Sequence, residues 1–122
     1  AAARNAFVYG ECGGYMTLGT YLTDAEGAQH AMAGLLPVAT SFAQRKLHLG
    51  YRVAKALVKT PFGTADAVFR GHEFHYATIV EEGVAPALFA AMDARGRDLG
   101  NVGRRVGSVM GSFMHLIDRE MP

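Results

Sequence analysis

Short apolar runs separated by glycine, proline or charged breaks organise this chain. Ala6-Phe7-Val8-Tyr9 predicts a short buried strand over 5–9. Residues 14–22 predict a helix, closed by the turn residues Thr23-Asp24-Ala25-Glu26-Gly27. Residues 31–40 are apolar and strand-like, with Gly34 and Pro37 placing a bend or an edge in them. Residues 47–58 alternate loosely and predict a strand, and Pro61-Phe62-Gly63 marks a loop. The next strand is predicted over 67–80 and ends at Glu81-Glu82-Gly83. Residues 85–92 are Ala-rich and fit either helix or strand, and their strand-rich surroundings favour strand. A hairpin turn is predicted over 93–98, then a glycine-punctuated strand over 102–114 that leads to His115.

Length and charge narrow the class. The 122 residues form one domain at most, and half are hydrophobic, enough for a sizeable core. A net charge of +1 argues against a nucleic-acid partner. The single cysteine excludes an internal disulfide and fits a reducing compartment, so a cytoplasmic location is expected. No apolar run approaches the roughly 20 residues that cross a bilayer, so no membrane partner is expected. Ala1-Ala2-Ala3-Arg4-Asn5 lacks a signal-peptide layout, and with no initiator Met a fragment or trimmed chain is expected. The six methionines read as core filling.

The cysteine carries the chemical signal. Tyr9-Gly10-Glu11-Cys12-Gly13-Gly14-Tyr15-Met16 sets it between a predicted strand and a predicted helix. That is the position of a nucleophile elbow, whose sharp turn needs small neighbours such as Gly10, Gly13 and Gly14. The N–H groups at the start of the helix would favour thiolate over thiol. The plainer alternative is a buried cysteine in a glycine-rich turn.

Gly-Glu-Cys-Gly-Gly-Tyr-Met resembles the cysteine motif of the cobyrinic or hydrogenobyrinic acid a,c-diamide synthases. Met32-Ala33-Gly34-Leu35-Leu36-Pro37, Leu47-His48-Leu49-Gly50-Tyr51-Arg52, Arg70-Gly71-His72-Glu73-Phe74-His75-Tyr76 and Gly111-Ser112-Phe113-Met114-His115-Leu116 continue the likeness in order, from about Val8 to Ile117. The matched region is the class I glutamine amidotransferase part of those enzymes. The resemblance implies an α/β, flavodoxin-like domain with a central, mostly parallel sheet, extra antiparallel strands and a nucleophile elbow. One early helix followed by many strands makes this a strand-rich mixed sheet.

The resemblance implies roles for particular residues. Cys12 would attack the side-chain amide of glutamine and form a glutamyl thioester, with the backbone N–H of Gly13 facing the oxyanion. His115, at the C-terminal end of its predicted strand, would be the general base; the alternative is a histidine that merely caps a strand. Class I glutaminases usually place a Glu two residues after the His, where this chain has Ile117. Asp118 is expected to point elsewhere, and Glu73 is the other carboxylate that could orient His115. Glu73 and His75 share one strand face with Ala77 and could either meet the site or form a structural pair. The spacing of His72 and His75 is wrong for a zinc helix, and no metal site is expected. Arg95, Arg97, Arg104 and Arg105, like Arg45, Lys46, His48 and Arg52, are either solvated or face a corrinoid carboxylate or the partner domain.

Only eleven residues precede Cys12, too few for the strands and glutamine loop that such domains carry before the elbow. Residues 1–122 are therefore expected to be the C-terminal part of an amidotransferase domain truncated at its N-terminal side. The ATP-binding synthetase domain is expected to be absent, as no G-x-x-x-x-G-K-[ST] occurs. By resemblance, the parent enzyme uses ATP and Mg to activate the a and c acetates of a corrinoid and amidates them with ammonia from glutamine, in cobalamin biosynthesis. This chain is expected to bind no cofactor, to reach the corrinoid through the synthetase domain, to be inactive alone, and to self-associate or dimerise through exposed edges. The alternatives are an amidotransferase with another acceptor, a non-catalytic docking domain, and a small metal-binding module.

Overall fold

The structure, a computed structural model, describes residues 7–43, 46–60 and 62–120. Arg45, Pro61 and the start of the strand expected over 5–9 lie outside the described residues. The elements in order are β1 (Val8–Glu11), α1 (Gly13–Leu18), β2 (Tyr21–Thr23), β3 (Gln29–Ala31), β4 (Val38–Ser41), β5 (His48–Ala56), β6 (Val68–His75), β7 (Thr78–Glu82), β8 (Ala87–Asp93), β9 (Asp98–Val106), β10 (Val109–Ser112) and β11 (His115–Glu120).

Several expected boundaries move, each for a local reason. β1 runs up to the cysteine itself. The helix stops at Leu18, where Gly19 turns extended, and Tyr21 and Leu22 pair with strands on both sides instead. The expected strand over 31–40 divides around Gly34, whose φ is 71°. The expected strand over 67–80 breaks after His75, whose Nδ1 lies 3.0 Å from the Ala77 carbonyl oxygen, and the chain crosses to the other sheet. The stretch 102–114 contains a two-residue hairpin, with Val106 opposite Val109 and Gly107 at φ 59°. The turn expected over 93–98 is present: Asp93 Oδ1 accepts the backbone N–H groups of Arg95 and Arg97, both at 2.9 Å.

One sheet has seven strands in the order β1-β10-β9-β8-β5-β6-β11, and a second has four in the order β3-β2-β4-β7. The fold is α/β with strand-rich mixed sheets. Among the described residues, however, the only parallel pairings are β1 with β10 and β2 with β4. The central, mostly parallel sheet that the resemblance implies is not formed by them. Parallel neighbours need long crossovers, and here the β2–β3, β5–β6, β8–β9 and β9–β10 connections turn straight back as antiparallel pairs.

The seven-stranded sheet curls until its two end strands meet through a side chain: Glu11 of β1 accepts the Leu116 N–H of β11 at 3.0 Å. Ala54, Ala56, Phe69, Phe89, Ala91, Met110 and Met114 belong to the core cluster of this sheet. A second cluster gathers Tyr15, Met16 and Leu18 of α1 with Val38, Ala77, Val109 and Phe113. β10 serves both clusters, so all four of its residues are buried.

α1 sits very close to the parallel pair. Gly10 lies opposite Gly111 in register. A β-carbon on Gly111 would come to 2.5 Å from the Gly10 carbonyl oxygen and 2.8 Å from the Tyr15 ring. One on Gly10 would come to 2.7 Å from the Gly14 backbone. Gly14 itself has open space around its missing side chain. Gly111→Ala is therefore expected to lower the unfolding free energy by roughly 2–3 kcal/mol, whereas Gly14→Ala raises it by up to about 1 kcal/mol through helix propensity. Urea unfolding checks both, and an unchanged midpoint for Gly111→Ala would disprove the close packing.

Candidate active site

Cys12 occupies the one-residue step between β1 and α1. Its φ of 53° and ψ of −106° form a backbone conformation that costs a non-glycine residue about 1–3 kcal/mol. Two hydrogen bonds hold it there: the Cys12 N–H donates to the Ser112 carbonyl at 2.9 Å, and the Cys12 carbonyl accepts the Met16 N–H at 3.0 Å. The thiol does not behave as the helix argument expects. Burial pushes it above the ordinary cysteine value, while the Gly13 N–H pulls the other way and the Glu11 and Glu73 charges add to the rise. α1 has only six residues. Gly13 opens the helix with no atom near its α-hydrogens, so its backbone is accessible.

His115 stands at the start of β11, not at the end of a strand as the sequence suggests, because β10 ends at Ser112 and a two-residue link follows. That link keeps His115 near the C-terminal ends of β1 and β10, where Cys12 also lies. The imidazole stacks on His72, its cross-strand partner, with ring centroids 5.1 Å apart. Its Nδ1 lies 3.7 Å from Glu11 Oε1. Ile117 is exposed.

Glu73 does not orient His115. Its carboxylate is committed to Arg52 at 3.1 Å and to His75 at 3.0 Å. Glu73 and His75 are side by side, as strand periodicity predicts, and they form a structural pair. Of the two readings the sequence left for Glu73, the structure places its carboxylate in the pair with His75, and Glu11 is the carboxylate beside His115. Glu11 was in view as the neighbour of Cys12, but only the curl of the sheet brings β1 to β11.

His75 is sandwiched between the rings of His48, 4.5 Å away, and Phe113, 4.0 Å away. It lines a cavity of about 400 Å³ together with Tyr15, Lys46, His48, Glu73 and Asn101. Neither Cys12 nor His115 lines that cavity. The arginines expected as one group are divided: Arg95 and Arg97 sit at the β8–β9 turn, whereas Arg104, toward the other end of β9, pairs with Glu82 at 2.5 Å. Among the described residues no three His, Cys, Asp or Glu side chains gather to hold a metal, and no helix is long and apolar enough to cross a membrane.

The Glu73 pair has a pH signature. Its carboxyl is held below the ordinary value of 4.5, chiefly by His75 and then by Arg52, against the opposing effect of burial. A depressed carboxyl contributes stability above its unfolded value and loses it as pH falls through the folded one. Glu73→Gln is expected to cost about 1–3 kcal/mol at pH 7 and to flatten the loss of stability below pH 4.5. Thermal unfolding across pH 3–7 (approximate limits set by the carboxylate range) measures both. An acid limb as steep as in the parent would refute the role of this carboxylate.

Comparison with known proteins supplies the family. The model of the CobB/CobQ-like glutamine amidotransferase domain matches residues 1–121. The chain is 60% identical over 118 residues to a hydrogenobyrinate a,c-diamide synthase from Brucella anthropi, covering 97% of this chain and 26% of that protein. It is 57% identical to the protein of the same name from Rhizobium meliloti, covering 97% of this chain and 27% of that protein. For the Agrobacterium fabrum protein of that name the identity is 54%, covering 90% of this chain and 25% of that protein. The chain thus spans about a quarter of the length of these relatives. With its β1–cysteine–α1 step and its full-length match, the chain belongs to the family of CobB/CobQ-like glutamine amidotransferase domains.

Proposed function

We propose that this chain is part of the glutaminase half of a corrinoid a,c-diamide synthase, with Cys12 as nucleophile at a nucleophile elbow and His115 as general base. The observation that carries the reading is the strained Cys12 backbone at the end of a half-buried parallel strand, in a chain that matches the family over its length. Strain of this kind persists only where the surroundings fix it, and here Ser112 and Met16 do so.

The chemistry follows from the environment of the thiol. Burial disfavours thiolate, so attack on glutamine needs a base at the moment of reaction. His115 takes the thiol proton as sulfur bonds to the amide carbon, and the Gly13 N–H faces the developing oxyanion. The proton passes to the departing nitrogen, which leaves as ammonia. Water then cleaves the thioester to glutamate and restores the thiol.

The rest of the assignment is drawn from the relatives. Residues 1–122 would be the C-terminal part of an amidotransferase domain, truncated on its N-terminal side. The ATP and Mg of the synthetase reaction, and the corrinoid acetates that receive the ammonia, would be held outside this chain, in a cytoplasmic protein of cobalamin biosynthesis. The chain has no phosphate-cradling Gly-rich motif of its own. A second reading, docking or self-association, rests on an exposed stripe: Leu49 lies opposite Phe74, and Tyr51 opposite His72. These apolar residues are 60%, 51% and 72% exposed for Leu49, Phe74 and Tyr51, and the stripe adjoins His115 through His72.

Intact-mass labelling tests the reading. Iodoacetamide is expected to modify Cys12 once, at a rate that falls roughly tenfold or more in His115→Ala. A diazoketone analogue of glutamine is expected to label the chain poorly until the remaining part of the protein is supplied. Equal iodoacetamide rates in both proteins would remove His115 as the base. A stoichiometric diazoketone adduct on the chain alone would show a complete glutamine site and overturn its incompleteness.

A further inference from the structure

We infer that Glu11 is the positioning residue of His115, a carboxylate supplied from beside the nucleophile in place of the one that Ile117 leaves out. The inference rests on the roles proposed for Cys12 and His115. Its grounds are geometric. One carboxylate addresses two parts of β11: Oε2 accepts the Leu116 N–H at 3.0 Å, fixing the backbone next to the histidine, and Oε1 lies 3.7 Å from its Nδ1. The second distance is too long for a hydrogen bond and places the carboxylate beside that nitrogen. His72 stacks on the ring at an interplanar angle of 26°, so contact with the ring comes from β6 as well as from β1.

The other carboxylate considered for this task is occupied. Glu73 faces Arg52 and His75. Ile117, at the usual carboxylate position, is 63% exposed and apolar. Glu11 directly precedes Cys12, so the turn that places the nucleophile also places the group that steadies its base.

The electrostatic consequence is specific. A negative charge beside Nδ1 favours the proton on that nitrogen and leaves the Nε2 lone pair free to accept the thiol proton. The same charge raises the thiol itself. Glu11 therefore acts on the two members of the pair with opposite signs, helping the base and hindering the free thiolate.

The test uses Glu11→Gln, whose amide oxygen still accepts the Leu116 N–H while the charge is gone. Iodoacetamide rates at Cys12 are compared in the parent, Glu11→Gln, His115→Ala and the double variant. Glu11→Gln is expected to slow alkylation roughly 3- to 10-fold when His115 is present. In the His115→Ala background it speeds alkylation, because only the repulsion on the thiolate is left to remove. A change of the same sign in both backgrounds would overturn the inference.

Nitrogen-15 NMR supplies a readout that a purely structural role would not move. At about pH 8.5, where an ordinary histidine is neutral, His115 of the parent chain is expected as the Nδ1–H tautomer, with a larger Nε2–H share in Glu11→Gln. An Nε2–H tautomer in the parent refutes the positioning role without any variant being needed. Should His115→Ala alkylate at the parent rate, the general-base assignment fails, while the tautomer still decides the role of Glu11.

Discussion

Gly10 and Gly111 face each other across the parallel β1–β10 pair, and a β-carbon on either would strike backbone. That absence of side chains lets α1 lie directly on the pair, with the Tyr15 ring against Gly111 and edge-on to Phe113. The seat of the helix fixes the single residue between it and β1. Cys12 has no freedom to relax its positive φ while its N–H is tied to β10 and its carbonyl to the helix. The strain is thus sustained by packing that extends through Val109, Val38 and Ala77 into the second sheet.

The opposite face of the same pair belongs to the curl of the large sheet. β1 and β11 are its two ends, and no ladder joins them. The Glu11 carboxylate spans the gap instead. Residues far apart in sequence, Glu11 and His115, therefore meet at a seam. Burial pushes the Cys12 thiol up, while the His115 imidazole stacks on His72 with the Glu11 carboxylate beside its Nδ1.

Much of this was legible from residue types. Strand periodicity puts Glu73 and His75 on one face, and the structure shows them bonded. The β5 and β8 strands, the Asp93 turn and the β1–cysteine–α1 step all follow from local pattern and turn chemistry. Other features were hidden for physical reasons. The Gly107–Ser108 hairpin sits in a stretch that Gly103 and Gly111 punctuate as well, so no local signal singles out that one break. The break after His75 has no glycine or proline to announce it and forms where the His75 side chain reaches the Ala77 carbonyl. The parallel sheet suggested by resemblance gives way here to hairpins, because the described residues offer one short helix for crossovers.

The sequence by itself determined the family, through ordered motifs that survive without coordinates, and it marked where a sharp strand-to-helix turn could stand, because glycines around a lone cysteine permit backbone shapes closed to other residues. The tertiary structure alone decided which carboxylate serves which histidine. Glu73 and Glu11 are equivalent candidates by residue type. Their partners depend on which strands become neighbours: β6 lies beside β5 and hands Glu73 to Arg52, while the curl of the sheet carries β11 back to β1 and hands His115 to Glu11. It likewise decided that the thiol is raised rather than lowered, since desolvation depends on what packs around the sulfur and not on the order of residues near it.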